Sequence, residues 1–214
     1  MANSWPRKLL KLTALVLGVP TLLGAGCYAK WCLLDGKFAT ITPGAVYQSA
    51  AFAPDELVET CRAHGIRTVI DLRDSRGELI DACAATATAA GLHHLHVPTR
   101  SWPFPAEVEA FLAALDSAER PVLVHCQHGE GRSVMMCAMH RVANEGWSNR
   151  RAFEGTCRLP DSIKFLNDWF PSLRRFNPAH PKGKFVLSYR PKYTKEATAA
   201  AAGDGPAPLD ATLR

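Results

Sequence analysis

The sequence predicts an α/β fold: a mainly parallel central sheet flanked by helices, behind an N-terminal membrane or export helix. Three observations carry that expectation. Between residues 45 and 170, short β-branched or apolar runs alternate with alanine-rich or amphipathic stretches, the order that gives parallel strands joined by helical crossovers. One such run, Pro121-Val122-Leu123-Val124, passes through a glycine-bearing turn into a stretch without a breaker from Val134 to Arg141. Residues 12–29 hold no charged side chain and follow Arg7, Lys8 and Lys11.

The elements can be taken in chain order. The apolar N-terminal run is near the lower length limit for crossing a bilayer, and its basic flank predicts a cytoplasmic N-terminus with the body across the membrane. Pro20 and three glycines also suit a secretory signal. An uncleaved anchor is favoured over a removed signal. A strand begins at 45–47. A helix follows over 54–64, with Pro54 in its first turn and Asp55 and Glu56 complementing the dipole. Residues 68–72 form a β-branched strand, 78–90 an alanine-rich helix stopped by Gly91, and 94–97 a third strand. Residues 106–117 place Val108, Phe111, Leu112 and Leu115 on one helical face. The strand 121–125, a turn and a helix to about Glu145 come next, then helices near 149–157 and 162–170. From Ala197 onward Ala, Gly and Pro dominate, and nothing there can build a core. The expected division is an anchor or signal over 1–30, a catalytic domain over 31–178, and a basic then unstructured tail over 179–214.

Of the 214 residues, 47% are apolar, which suits one globular core. The formal charge of +5 is concentrated at the start, where Arg7, Lys8, Lys11 and Lys30 precede the first acid, Asp35. The remainder is nearly balanced, so no nucleic-acid surface is expected. Residues 171–195, with Arg174, Arg175, Lys182, Lys184, Arg190, Lys192 and Lys195, carry basic side chains and no acid; a solvated surface is the simpler reading, contact with anionic lipid headgroups or an acidic substrate the other. Of seven cysteines, Cys61, Cys83, Cys137 and Cys157 fall on expected helices and read as small core residues.

The chemistry is concentrated in His125-Cys126-Gln127-His128-Gly129-Glu130-Gly131-Arg132-Ser133. A cysteine and an arginine with two glycines between them, at a strand-to-helix turn, make an oxyanion cradle. The turn's amides converge on one point and the helix N-terminus adds positive potential. Arg132 can grip two phosphate oxygens with its planar fork. Cys126 would lie in the same field, favouring the thiolate. A second Cys-x5-Arg, from Cys61 to Arg67, lacks the preceding strand and the paired glycines and is expected to be inert. His93, His94 and His96 lack a partner at ligand spacing, so no metal is expected, and no organic cofactor.

The 125–133 segment resembles the active-site loop of the protein tyrosine phosphatase superfamily, His-Cys-x5-Arg-Ser/Thr. The stretches Ile41-Thr42-Pro43-Gly44-Ala45-Val46-Tyr47-Gln48-Ser49-Ala50 and Gly65-Ile66-Arg67-Thr68-Val69-Ile70-Asp71-Leu72-Arg73 resemble the small dual-specificity-like bacterial members. His140-Arg141-Val142 and Gly146-Trp147-Ser148 do the same. The resemblance covers roughly residues 38–170 and implies the cysteine-phosphatase fold. It also implies roles: Cys126 forms a phosphocysteine, Arg132 binds the phosphoryl group, Ser133 eases departure of the thiolate, and His125 helps set the thiol pKa. The amides of Gln127, His128, Gly129, Glu130, Gly131 and Arg132 would line the cradle. Such enzymes carry an aspartate well before the cysteine that protonates the leaving oxygen. Here that loop, Val97-Pro98-Thr99-Arg100-Ser101-Trp102-Pro103-Phe104-Pro105, holds no carboxylate. Glu107, Asp74 and Glu130 are the candidates to replace it.

The expectation is a phosphomonoesterase of the inner membrane with its catalytic domain in the periplasm, or exported there, acting on phosphotyrosine proteins through a cysteinyl phosphate. Phosphoinositide or inositol phosphate hydrolysis ranks second, opposed by Glu130 and the absence of lysine in the loop. A phosphate-binding pseudophosphatase regulator is the rival outside enzymes. A rhodanese-like sulfur transferase would share a cysteine-centred anion loop.

Overall fold

The computed structural model describes residues 5–74, 77–102, 105–156 and 158–191, with side chains from residue 11 onward. In chain order the elements are α1 (Trp5–Leu33), β1 (Ala39–Thr42), β2 (Val46–Ala50), α2 (Pro54–Ala63), β3 (Thr68–Asp71), α3 (Glu78–Ala89), β4 (His93–His96), α4 (Pro105–Ser117), β5 (Val122–Cys126), α5 (Arg132–Asn144), α6 (Asn149–Glu154), α7 (Leu166–Trp169) and α8 (Pro181–Ser188). Single 3-10 turns occupy Asp161–Ile163 and Pro171–Leu173.

The sheet runs β1-β2-β5-β3-β4. Three of its four pairings are parallel; at one edge β1 runs antiparallel to β2. β5 is central and fully buried, with Val122, Leu123 and Val124 at 0% exposure, as a strand covered on both faces must be. One face packs Ile70 and Val124 against Phe111 and Leu115 of α4 and Met135, Met136 and Met139 of α5. The other packs Val69 and Leu123 against Leu57 and Cys61 of α2 and Cys83 of α3. The expected α/β fold with a mainly parallel, helix-flanked sheet is therefore present.

Four details differ from expectation. The sequence pattern predicts no strand at β1, because four half-buried edge residues carry little alternation. The helix expected over 149–157 ends at Glu154 against Gly155, and Cys157 lies outside the described residues. The helix expected over 162–170 breaks into a 3-10 turn and the single turn α7. Only Asn167 is buried there, while Phe165, Trp169 and Phe170 are exposed, so a longer helix would gain no apolar face. Residues 181–188, assigned from sequence to the tail, form α8. Val186 is fully buried in the main core, and Asn149 Nδ2 donates to the Val186 and Tyr189 carbonyls at 2.8 and 2.7 Å. The surrounding lysines had masked the apolar trio Phe185-Val186-Leu187. Lys192, Lys195 and the Ala/Gly/Pro segment from Ala197 lie outside the described residues.

α1 contains 23 residues, Lys11–Leu33, with mean hydropathy 1.7, long and apolar enough to cross a membrane. It extends past the expected end at residue 30. Its last turns touch the body: Trp31 Nε1 donates to the Phe38 carbonyl at 2.7 Å, and Cys27 Sγ lies 3.1 Å from Ser162 Oγ.

Gly183 fixes where α8 sits, since a Cβ there would stand 2.1 Å from the Asn177 carbonyl oxygen. Gly183→Ala is expected to lower the unfolding free energy by about 1–3 kcal/mol through this clash, read by chemical denaturation.

Candidate functional site

The 125–133 segment begins at the carboxyl end of β5, where open α/β sheets place ligands, and runs directly into α5. The loop folds back over the end of β2. Gly129, at φ +64°, comes so close that a Cβ would lie 2.6 Å from the Ala50 amide nitrogen. Gln48, buried on β2, donates through Nε2 to the Gly129 carbonyl at 3.1 Å. Only glycine meets both the left-handed backbone and the lack of space.

Cys126 and Ser133 are both buried, and their Sγ and Oγ lie 3.3 Å apart. Burial pushes the Cys126 thiol up. The Ser133 hydroxyl and the amides of Ser133, Gly129 and His128 outweigh it by hydrogen bonding to the sulfur, and hold the thiol below its usual value. The Gln127 carbonyl instead accepts from the Ala51 amide at 3.4 Å, tying the loop to β2. Arg132 donates through Nη1 to the Leu72 and Thr99 carbonyls at 3.1 and 3.2 Å and pairs with Asp74 Oδ1 at 3.1 Å. Those two carbonyls aim the guanidinium from behind. Ser101, Cys126, His128, Glu130, Gly131, Arg132 and Lys182 line an open cavity of about 300 Å3.

The three candidate acids fare differently. Glu130 is not available: it sits between Lys37 and Arg175, whose Nη2 is 2.6 Å from Oε2. Burial raises its pKa, but the bonds to Lys37 and Arg175 outweigh this and bring it to about 2. It is a brace rather than a proton donor or a repulsive charge in the cradle. Glu107 accepts from Arg100 Nε at 2.6 Å and lines no part of the cavity. Asp74 is half-exposed and stands beside Arg132.

His125, to which the resemblance gives a part in setting the thiol pKa, lies directly before the cysteine at the end of β5. Its ring is fully buried near Asp71, 3.8 Å from Oδ2, and burial lowers its pKa to about 4. It is neutral near pH 7 and lends no positive charge to the thiol. Asp71 is gripped by Arg73, with Nε 3.0 Å from both oxygens and Nη2 2.6 Å from Oδ2. Asp71, His94 and His125 bring ligand atoms within 4.8 Å of one another. The Arg73 guanidinium already supplies the counter-charge, so this set fits a cation poorly. His96 turns away to the Arg73 carbonyl at 2.8 Å, and His93 faces Glu119 at the surface. In the second Cys-x5-Arg, Cys61 is buried with its thiol pushed up to about 12 by burial, while Arg67 pairs with Glu119 outside. The two residues share no site.

Sequence reasoning leaves Lys182 within a basic run and gives it no place at the Cys126 cavity. It reaches the cavity from α8, far along the chain, and only its place three residues ahead of an apolar trio centred on buried Val186 could have flagged it.

The family described as "DSP-PTPase phosphatase fused to NAD+ Kinase" matches residues 47–164. Dual specificity protein phosphatase TpbA of Pseudomonas aeruginosa is 45% identical over 51 residues; the match spans 23% of this chain and 23% of that protein, about a quarter of its length. Among solved structures, PTPMT1 is 20% identical over 78% of this chain and 99% of that one, with a TM-score of 0.52. The core catalytic domain of PP-IP phosphatase SIW14 from S. cerevisiae is 17% identical over 78% and 91%, with a TM-score of 0.52. At these identities the structures speak to fold.

Two outcomes follow from the electrostatics. Ser133→Ala removes the largest hydrogen bond lowering the thiol pKa, so the pH midpoint of Cys126 alkylation by iodoacetamide is expected to rise. His125, neutral when folded, takes up a proton more readily when unfolded. Stability is therefore expected to fall as pH drops from about 6.5 to about 4, by on the order of 3 kcal/mol, and to be insensitive to this group below that window. Urea midpoints at pH 7 and 4.5 measure it, and His125→Asn should flatten the difference.

Proposed function

The chain belongs to the DSP-PTPase phosphatase family, and we propose that it hydrolyses phosphomonoesters through a cysteinyl phosphate on Cys126, with phosphotyrosine proteins as first substrate class. The observation that carries this reading is the buried Cys126 thiol, held below its usual pKa by a hydroxyl and three loop amides at a strand's carboxyl end.

In this reading the thiolate attacks phosphorus in line, and the ester oxygen departs on the opposite side. Arg132 and the amides of the 127–132 loop meet the charge on the non-bridging oxygens, so the cradle itself provides the positive field. Ser133, 3.3 Å from the sulfur, then stabilises the thiolate as water displaces it from phosphorus. The vacancy in the 97–105 loop, which general acid catalysis makes worth about 10²–10⁴-fold in rate, favours the pseudophosphatase alternative and keeps it in the test. The anchor assignment for α1, the catalytic body beginning at about residue 31, and a periplasmic location form part of the same proposal. Their support is one apolar helix behind a basic flank.

The full chain is expected to hydrolyse p-nitrophenyl phosphate, with Cys126→Ser reduced to background while still retaining a phosphotyrosine peptide. Retention of the peptide by both proteins with hydrolysis by neither would establish a binding protein instead.

A further inference from the structure

In-line displacement needs a group facing the departing oxygen, on the side of phosphorus away from Cys126. The carboxylates weighed for that task are all occupied: Glu107 by Arg100, Glu130 by Lys37 and Arg175, and Asp74 by Arg132. Lys182 is not. It lines the same cavity as Cys126, Arg132 and Ser101, and its Nζ stands 3.1 Å from where a Cβ on Gly131 would lie. Among the described residues its one recorded aromatic partner is Trp102, 5.5 Å from Nζ to the ring centroid, and no carboxylate forms an ion pair with it. Trp102 in turn packs on His180 at 5.4 Å between centroids. Buried Val186, the close-packed Gly183 and the two bonds from Asn149 fix the helix that presents the ammonium.

We propose that Lys182 is the proton donor to the leaving group, its ammonium held by α8 over the cavity in place of the missing loop carboxylate. The inference rests on the phosphomonoesterase reading above. As the bond from Cys126 sulfur to phosphorus forms and the ester P–O bond breaks, one ammonium proton passes to the departing oxygen, and the alcohol leaves. The resulting neutral amine takes a proton from the attacking water as the new P–O bond forms and the S–P bond breaks. Inorganic phosphate leaves, and both ammonium and thiolate are restored. No further reactant is needed.

The surroundings suit this task. Burial lowers the pKa of Lys182, the Cys126 thiolate pulls it up, and Arg132 and Arg175 lower it again, the net being downward. Among the described residues, His128 and Glu130 of the loop and His180 just before α8 are the other titratable groups around it. A lysine held below its usual value gives up its proton more readily than a free ammonium, which favours transfer to a departing oxygen. A lysine that only bound non-bridging oxygens would aid every ester alike. A proton donor matters more as the leaving oxygen becomes more basic.

The test compares kcat/KM of the full chain on phenyl phosphate, a poor leaving group, and p-nitrophenyl phosphate, a good one, for wild type, Lys182→Met, Lys182→Arg and Asp74→Asn. Arginine keeps the charge but does not give up a proton in proteins. Both Lys182 variants are expected to lose about 10²-fold on phenyl phosphate and less than about 10-fold on p-nitrophenyl phosphate, with unchanged thermal unfolding. Equal losses on both esters, no loss, or full rescue by Lys182→Arg would overturn the proposal. So would a leaving-group-selective loss confined to Asp74→Asn. Wild type inactive on both esters would instead overturn the phosphomonoesterase reading, and this inference with it.

Discussion

The close approach of the Gly129 backbone to the end of β2 is the contact on which the rest of the site depends. A cradle of amides forms only if the loop doubles back. It doubles back because Gln48 and Ala51 bond its carbonyls while no side chain at 129 holds it off. That in turn requires β2 and β5 to be neighbours with Ala50 opposite Cys126. A one-residue slip in this register would turn the sulfur to the other face of the sheet, away from the amides. The parallel core thus acts on chemistry through register: buried Val122 to Val124 set the pairing, and the pairing sets the sulfur.

A second set of ties holds the loop from outside. Lys37, four residues beyond α1, bonds both the His128 carbonyl and Glu130. Arg175 donates to the Glu130 carbonyl at 2.7 Å and pairs with its carboxylate. Exposed pairs contribute little stability each, commonly 0–1 kcal/mol. Their effect here is geometric, since one carboxylate joins the segment after α1 and the segment before α8 to the turn. The same carboxylate, taken alone in the sequence, looked like a charge opposing polyanions. With Lys37 and Arg175 bonded to it and Lys182 lining the same cavity, that objection loses its basis.

What was legible in the sequence was local. The strand, the paired glycines and the following helix lie within some twenty residues, so their order alone places Cys126, Arg132 and Ser133 on one turn. The parallel sheet was legible because β3 and β5 centre on β-branched or apolar residues, Val69-Ile70 and Val122-Leu123-Val124, between helical stretches, and the second Cys-x5-Arg could be set aside because no such strand precedes Cys61. Long-range assembly was not legible. β1 and α8 gain their stability by docking, through half-buried edge residues and one short apolar trio, and neither leaves a periodic pattern. Lys182, Lys37 and Arg175 converge on the loop from positions that no local motif connects. The state of His125 was also hidden, because it depends on being sealed in beside Asp71 and Arg73.

That sealed histidine decides where the thiol's depression originates. An imidazolium beside Cys126 would lower its pKa by charge, but a ring buried to about 1% exposure, facing an aspartate already neutralised by an arginine fork, stays neutral until about pH 4. The stabilisation of the thiolate must then come from hydrogen bonds: one hydroxyl and the amides of residues 128, 129 and 133. Fixed backbone dipoles do not titrate and need no counter-ion of their own. The downward pull on the thiol then does not depend on the charge state of His125. The buried Asp71–Arg73 pair then has a packing task beneath the loop, holding the His125 ring under the cysteine without lending it charge.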